Sequence, residues 1–304
     1  MKNMKKAFTL VELMVVVGII AVLATVLMAS LFGGTESARN AKCLSNMRNL
    51  AIACQTYGMR HGHYPLAGSV ERMGIDISQG ASNVRQVYSE LTGWLSWNSQ
   101  NAYRSRPSSH VASAGWFTSC YNQDDEVREY ALTNGCIWGS VSANRETFIC
   151  PQHRRKFQGT STPPLWSYVM NSYFGWDNSQ GARAKSAHWY GVKYGELKSA
   201  DRRLLFAEIP FMGVEVEAKV NTGSGTDCDC TLQYKDSDGG EVIGFNHSSG
   251  KSQKFAHVVF ADAHVEQLNW PKNGYSHQQL RDLTEWLCNG EDVLFNNGNV
   301  QKAE

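Results

Sequence analysis

The chain has 304 residues, a formal net charge of +1 and 19% charged residues. This length leaves room for one large or two small globular units beyond an N-terminal helix. The basic clusters at 153–156 and 202–203 are short and are interpreted as solvated loops. The composition therefore offers no broad basic face, and we predict no nucleic-acid partner.

The N-terminal region is dominated by an apolar run. No charged side chain occurs from Leu13 to Thr35, and this stretch is long enough for a helix to cross a bilayer. Lys2, Lys5 and Lys6 precede the run. By the positive-inside rule they place the N-terminus in the cytoplasm and the bulk of the chain outside. We therefore predict a single-pass protein whose C-terminal domain lies outside the cytoplasm.

Glu12 is a carboxylate one turn inside this region. A charge deep in a membrane helix costs roughly 2.5–3.5 kcal/mol, so a charge that is kept there needs a partner. No basic residue lies between Lys6 and Arg39. Cleavage between Ala7 and Phe8 would supply one, because an α-ammonium has a reference pKa of about 7.7–8. In a stack of staggered helices, Glu12 of one subunit would then meet the Phe8 ammonium of its neighbour.

The segment 5–12, KKAFTLVE, resembles the leader-peptide junction of type IV pilins and of the pseudopilins of type II secretion. In that family a membrane peptidase cuts before the Phe, the new N-terminus is N-methylated, and the Glu is needed for filament assembly. The resemblance implies cleavage between Ala7 and Phe8, N-methylation of Phe8, and an assembly role for Glu12. The chain departs from the family at Ala7, where Gly is usual.

Two other interpretations of the N-terminus stay open. An ordinary secretory signal has the same basic start, and the small-residue pattern at 22–24 would then give a mature chain that begins at Thr25. An uncleaved single-pass anchor is the second alternative. Glu12 inside the apolar region and the amphipathic pattern that follows favour the prepilin interpretation.

Four regions are predicted along the chain: a leader peptide at 1–7, a transmembrane and assembly half of a long helix at 8–35, an amphipathic half at 36–62, and a globular domain at 63–304. The helix is expected to reach about Arg60. One face of its amphipathic half carries residues at three- and four-residue steps: Ala41, Leu44, Met47, Ala51, Cys54 and Gly58. The other face carries Arg39, Asn46, Arg48 and Gln55.

The globular domain has helix candidates at 83–97 and 125–132. Its strand candidates lie mostly in the second half, at 147–150, 166–174, 204–209, 214–220, 241–246, 255–261 and 264–268. Ser276 is a suitable N-cap for a last helix that ends at Cys288, and a loose polar tail is expected from Asn289. A long helix followed by strands predicts an α+β fold, pilin-like, with the helix packed on a mainly antiparallel β-sheet.

Further segments resemble a subgroup of the family that has large C-terminal domains. They are 43–50 followed by 64–65, 148–151, and 259–265. In that subgroup a His precedes an Asp-Gly turn by nine residues. Here fourteen residues lie between His247 and Asp262, and Ala263 stands where the subgroup has Gly, so we do not expect a tight primed hairpin at this turn. Residues 66–115 match nothing in the subgroup and are interpreted as an insert.

The chain has 8 cysteines, at positions 43, 54, 120, 136, 150, 228, 230 and 288. This number suits a compartment where disulfides persist, although the connectivity does not follow from the sequence. Cys43–Cys150 is the first candidate pair. Cys43 lies near the helix stripe that should face the sheet, and Cys150 ends the segment that resembles the subgroup. Such a bond would contribute a few kcal/mol to stability.

Three groups of residues are candidate chemical sites. His247, Asp262 and His264 are candidates for a metal or acid–base cluster, but Asp262 more simply caps its turn through the backbone. Cys150 and His153 together with Cys228 and Cys230 offer ligands for zinc, and ordinary disulfides are the favoured interpretation of these cysteines. The role of His247 and His264 is left open.

The third group is the acidic loop with Asp236, Asp238 and Glu241, a weak calcium candidate that is shorter than an EF-hand loop. The family resemblance adds to this possibility, because major pseudopilins often bind calcium in a C-terminal loop. We predict no other cofactor and no catalytic residues, so the chain is not expected to be an enzyme.

The prediction for function is a structural subunit of a type IV pilus-like filament, more specifically a type II secretion pseudopilin. The alternative is a minor pilin or surface adhesin whose insert contacts a ligand. The expected partners are copies of itself or related pilin-like subunits, a prepilin peptidase, the inner-membrane assembly platform of a secretion system, and the membrane. The expected location is the inner membrane with a periplasmic domain, and then a periplasmic or extracellular filament.

Overall fold

The computed structural model describes residues 9–67, 93–95, 129, 131–156, 164–175, 192–208, 210, 231–232, 242–249, 253–296 and 299–302. Among these residues, the α-helices are α1 (Leu10–His61), α2 (Pro151–Lys156) and α3 (His277–Asn289). The strands are β1 (Tyr168–Asn171), β2 (Leu204–Glu208), β3 (Thr231–Leu232), β4 (His247–Ser249), β5 (Gln253–Phe260), β6 (Val265–Asn269), β7 (Val293–Asn296) and β8 (Asn299–Lys302). The predicted α+β class, with a long N-terminal helix packed on a mainly antiparallel sheet, is confirmed.

Helix α1 begins after Thr9 and continues for 52 residues. Gly62 ends it in the left-handed conformation with φ 79°, which glycine adopts without the steric cost that a Cβ would impose. The predicted helix end near Arg60 is therefore confirmed. Within the described residues, no helix contains a stretch long and apolar enough to cross a membrane.

The second half of α1 packs against the sheet. As predicted, Met47, Ala51 and Cys54 are buried. Ala41 was predicted on the same face but is exposed, so the buried face of α1 does not include it. Asn46 was predicted on the opposite face and is fully buried. The reason is that its Nδ2 donates hydrogen bonds to two backbone carbonyls that have no strand partner, those of Glu146 (2.6 Å) and Ile149 (3.0 Å).

The main sheet has the order β3-β1-β2-β5-β4, and β6 pairs with β5 on its other side. All pairs in it are antiparallel except β1 with β3, which is parallel. Strand β2 is buried at every position, and the last six residues of the eight-residue β5 are buried. These strands form the centre of the core, with α1 on one face, because their continuous apolar side chains must be covered on both sides.

Strands β2 and β4 follow one another along the same edge of β5. Ala207 of β2 pairs with Val258, and His247 of β4 pairs with Phe255. The C-terminal end of β2 therefore meets the N-terminal end of β4. This arrangement brings Glu208 and His247, which are far apart in sequence, to neighbouring positions at the centre of the domain.

The turn between β5 and β6 spans residues 261–264. As predicted, it is not a two-residue primed hairpin. Ala263 adopts φ 69°, a conformation that costs a non-glycine residue energy. The Asp262 carboxylate accepts a hydrogen bond from the backbone N–H of His264 at 3.0 Å. Asp262 thus caps the turn through the backbone, in agreement with the simpler of the two interpretations of this residue.

Two predicted strands are wrong. Residues 145–147 form a 3₁₀ turn and Pro151 starts α2, which suits the first position of a helix because proline has no N–H to leave unpaired. Residues 242–246 belong to no strand, and β4 begins only at His247. The strand candidate at 214–220, almost all of the helix candidate at 83–97 and most of that at 125–132 lie outside the described residues.

The C-terminal region is more ordered than predicted. Ser276 is the N-cap of α3, as expected, and forms a capping box with Gln279. After the helix, β7 and β8 form an antiparallel hairpin in place of the expected loose tail. The tail prediction was wrong because β7 contains only three consecutive apolar residues, and the polar residues on both sides of them were interpreted as a loose tail.

Candidate functional site

The first half of α1 exposes apolar side chains on every face. Exposure runs from 46% at Val16 to 71% at Leu10, and the exposed large residues between positions 10 and 23 are Leu10, Val11, Leu13, Met14, Val15, Val16, Val17, Ile19, Ile20, Val22 and Leu23. A helix that is apolar all round needs either lipid or other helices around it. A continuous surface of this size is typical of an interaction site.

Glu12 lies at the start of this surface and takes part in a capping box with Thr9. The Glu12 carboxylate accepts hydrogen bonds from the backbone N–H of Thr9 at 2.9 Å and from its hydroxyl at 2.8 Å. The Thr9 hydroxyl accepts in turn from the backbone N–H of Glu12 at 3.2 Å. The carboxylate is therefore held at the first turn of α1, against the N-cap Thr9.

Ala7 and Phe8 lie outside the described residues, so their predicted cleavage and the contact between Phe8 and Glu12 stay predictions. Charge at this position also favours the helix, since a carboxylate in the first turn interacts well with the positive end of the helix dipole. The carboxylate thus has a local role in the isolated chain, and this role must be separated experimentally from any role in assembly.

The exposed apolar helix, its basic leader and its carboxylate agree with a comparison against known families. Residues 2–28 carry the prokaryotic N-terminal methylation motif. The methylation motif spans the predicted cleavage position, Glu12 and most of the apolar run. The resemblance to prepilin-type N-terminal segments is thereby confirmed for this part of the chain.

A curated relative extends the similarity beyond the methylation motif. The chain is 39% identical over 61 residues to the type II secretion system core protein G of Escherichia coli (strain K12). The match covers 20% of this chain and 42% of the relative, so the chain spans less than half of the relative's length. No solved structure shows significant similarity to the chain.

A second constellation lies where α1 meets the sheet. The described residues contain one group of potential metal ligands whose ligand atoms all lie within 4.8 Å of one another: Cys43, Cys150, Glu208 and His247. None of the four side chains is more than 1% exposed. Cys43 Sγ lies 3.2 Å from Glu208 Oε1, His247 Nε2 lies 3.1 Å from Glu208 Oε2, and Cys150 Sγ lies 3.9 Å from His247 Nε2.

Four separate elements supply this cluster, which we call the α1–sheet cluster. Cys43 comes from α1, Cys150 directly precedes α2, Glu208 ends β2, and His247 begins β4. The predicted pair Cys43 and Cys150 is brought together, but both residues carry free thiols and no disulfide joins them. The disulfide predicted for this pair is therefore not shown.

Charge interactions dominate the cluster. Burial alone would raise the pKa of the Glu208 carboxyl, but the charge of His247 and the hydrogen bonds from its ring and from both thiols lower this pKa to about 2. Burial opposes the charged form of His247, yet the Glu208 carboxylate outweighs that effect and raises the imidazole pKa to about 10. In the metal-free protein, these two groups form a buried ion pair.

The remaining candidate site residues are dispersed. Asp262 and His264 lie on the half-exposed turn after β5. His247 is paired with Phe255, near the other end of that strand. Phe255 and Phe260, the last residue of β5, are about 17 Å apart along the strand axis. The three residues therefore do not form one cluster. Cys228, Cys230 and the calcium candidates Asp236, Asp238 and Glu241 lie outside the described residues.

His153, proposed as a zinc ligand together with Cys150, has a different environment. Its Nδ1 lies 2.8 Å from Ser167 Oγ, which also accepts a hydrogen bond from the backbone N–H of Cys150 at 2.9 Å. Burial lowers the pKa of His153 to about 3, so the ring is neutral. His153 thus contacts the serine that binds the Cys150 backbone, and it does not belong to the α1–sheet cluster.

Sequence reasoning missed Glu208 altogether. The available signal was a carboxylate at the end of the otherwise apolar strand Leu204–Glu208, a buried position where a charge needs a partner. That signal identifies Glu208 as unusual, but it does not predict which residues contact it. Its partners Cys43, Cys150 and His247 all come from distant parts of the sequence.

Proposed function

We propose that the chain is a subunit of a type IV pilus-like filament and, within that class, a type II secretion pseudopilin. The observation that carries the proposal is the continuous exposed apolar surface of α1, which begins at Leu10, includes the position of Glu12 and lies inside the methylation motif. The similarity to the type II secretion system core protein G supports the narrower class.

The helix acts in two environments. Before assembly its apolar half spans the inner membrane, with the globular domain on the periplasmic side. On assembly it leaves the lipid and packs against the same half of neighbouring helices. At 1.5 Å per residue, the 52 residues of α1 extend about 78 Å, long enough for one half to enter a filament core while the other carries the domain.

The charge at Glu12 sets the register between subunits. A prepilin peptidase cuts between Ala7 and Phe8, and the N-methylated ammonium of Phe8 pairs with Glu12 of an adjacent subunit. Each charge offsets the cost of burying the other away from water. Such contacts are head-to-tail and do not close into a ring, so they repeat along a fibre.

The partners of the proposed subunit follow from this cycle. They are copies of itself or related pilin-like subunits, the prepilin peptidase, and the inner-membrane assembly platform of a secretion system. The proposal gives the chain a structural role and no catalytic one. The adhesin alternative rests on the segment 66–115, almost all of which lies outside the described residues, and no described feature favours it.

Mass spectrometry of the N-terminal peptide tests the processing on which the proposal depends. In the membrane fraction of cells that express the full chain, we expect a mature N-terminus at Phe8 with a methyl group on its α-nitrogen. The Ala7→Gly variant, which restores the residue usual in the family, should be processed at least as completely. A mature chain that begins at Thr25, or one that keeps Met1, would contradict the proposal.

A further inference from the structure

The α1–sheet cluster has the composition of a metal site. It contains two thiols, one imidazole and one carboxylate, all four buried and all pointing at a common centre. A buried carboxylate such as that of Glu208 is rare unless it is paired or binds a metal. The four residues come from four places in the chain. A metal bound here would therefore connect α1, the segment that precedes α2, and strands β2 and β4.

The distances fit tetrahedral coordination. Zinc binds sulfur at about 2.3 Å and nitrogen or oxygen at about 2.0–2.2 Å, which places neighbouring ligand atoms of a tetrahedron about 3.3–3.8 Å apart. The separations are 3.2 Å from Cys43 Sγ to Glu208 Oε1, 3.1 Å from Glu208 Oε2 to His247 Nε2, and 3.9 Å from His247 Nε2 to Cys150 Sγ, so each oxygen of the carboxylate makes one of the first two contacts. Taking one atom from each residue, all four ligand atoms lie within 4.8 Å of one another, and the side chains would move inward to reach the tetrahedral spacing.

The surrounding residues orient the ligands. His247 Nδ1 lies 2.9 Å from Asn40 Oδ1, and the Asn40 amide is oriented by a hydrogen bond from its Nδ2 to the carbonyl of Ser248 at 3.4 Å. Once the ring loses a proton, the Asn40 oxygen keeps the remaining one on Nδ1, and the lone pair of Nε2 becomes available to a metal in the cluster. The Tyr168 hydroxyl donates to Cys43 Sγ at 3.4 Å, and Asn246 Nδ2 donates to Glu208 Oε2 at 3.3 Å. Such outer contacts are typical of metal ligands.

The ligand set selects the metal. Two thiolates disfavour calcium and magnesium, which prefer oxygen ligands, whereas a mixed set of sulfur, nitrogen and oxygen in tetrahedral geometry suits zinc. Four protein ligands and full burial leave no position for a substrate or a water, so the site is of the structural type. Binding would release the protons carried by the thiols and the imidazole.

We propose that Cys43, Cys150, Glu208 and His247 bind one zinc ion, which fastens the sheet domain to α1. This inference concerns the globular domain and does not depend on filament assembly. It replaces the predicted Cys43–Cys150 disulfide, because the same two sulfur atoms cannot be bonded to each other and also serve as thiolate ligands.

Metal analysis of the full-length chain tests the site directly. The protein is purified in detergent without chelators, and its zinc content is measured by elemental mass spectrometry. We expect about one zinc ion per chain. The Cys43→Ala and His247→Ala variants should lose most or all of this zinc, whereas Cys54→Ala should keep it. Cys54 is a matched control, since it is an equally buried free thiol on the same helix and lies outside the cluster.

Cobalt substitution gives a readout that needs no variant and is unaffected if a variant misfolds. After removal of the zinc and addition of Co²⁺, the wild-type chain should show the intense visible bands of tetrahedral cobalt and a thiolate-to-metal charge-transfer band. Addition of Zn²⁺ should abolish both. Non-reducing peptide mapping of the same preparation should recover Cys43 and Cys150 as separate peptides.

Three results would overturn the proposal. One is a wild-type chain with negligible zinc and a Cys43–Cys150 linked peptide, which would restore the disulfide. Another is a cobalt spectrum of the octahedral type without a charge-transfer band. The last is an equal loss of zinc from Cys54→Ala and Cys43→Ala, which would show that the bound zinc does not occupy this cluster.

Discussion

Replacing Glu12 with Gln is expected to abolish filament assembly while membrane insertion and cleavage before Phe8 continue. The amide cannot neutralise the Phe8 ammonium of a neighbour, so that charge stays unpaired in an apolar environment. Breaking a buried ion pair by removing one partner costs roughly 3–5 kcal/mol, which corresponds to a loss of about 10²-fold or more per interface. Insertion should be no worse, since the variant helix has no charge to bury.

This substitution separates the charge of Glu12 from its local role. Glutamine also serves in a capping box, so Glu12→Gln keeps the hydrogen bonds with Thr9 that begin α1. Thr9→Ala is the complementary control, because it removes the cap at a cost of about 1 kcal/mol and keeps the carboxylate. We expect Thr9→Ala to assemble and Glu12→Gln to be cleaved, folded and absent from filaments. Normal filaments from Glu12→Gln would show that the carboxylate serves only the helix.

Replacing Asn171 with Ala is expected to destabilise the globular domain by roughly 3 kcal/mol or more. Asn171 is fully buried, and its Nδ2 donates to the carbonyls of Leu204 at 2.8 Å and Cys288 at 2.9 Å. Its Oδ1 accepts from the backbone N–H of Tyr173 at 3.0 Å. One amide therefore connects β1, β2 and the end of α3, and its loss takes this partner from two buried carbonyls and one half-buried N–H.

Thermal unfolding of the full-length chain in detergent measures this effect. For a domain of this size, the expected loss corresponds to a midpoint lowered by roughly 6–12 °C. Asn269→Ala is the matched control, because Asn269 is exposed on β6 and its Oδ1 accepts only from the exposed Gln267 side chain in the described structure. The control should change the midpoint by no more than a degree or two. Equal midpoints for the two variants would refute the role of Asn171.

The N-terminal helix could be predicted from sequence because its determinants are local. Helix period, an uninterrupted apolar run and a carboxylate at its start all lie within one continuous segment. The end of α1 could be predicted for the same reason, since Gly62 stops the helix by its own conformation. The positions of β5 and β6 and the N-cap Ser276 were likewise predicted from local signals, whereas β7 and β8 were missed.

The α1–sheet cluster could not be predicted because it depends on strand order. Cys43 and Cys150 were paired correctly in space, but nothing in the sequence places the end of β2 beside the start of β4 along one edge of β5. Glu208 therefore stayed without a partner until the topology was known. Asn46 shows the same limit: a polar residue was assigned to the solvent face, although it is buried where two unpaired carbonyls need a donor.

Site-specific photo-cross-linking in the native host tests most directly whether the exposed apolar half of α1 is an assembly surface. A benzophenone amino acid at Val16 places the probe on that surface, and one at the exposed Lys272 places it on the globular domain as a control. After irradiation of intact cells, we expect a ladder of covalent multimers from the probe at Val16 and a much weaker ladder from the probe at Lys272. A chain that carries the Val16 probe together with Glu12→Gln should give no multimers. Only monomers from Val16 in cells whose chain is cleaved at Phe8 would contradict a filament built on this helix.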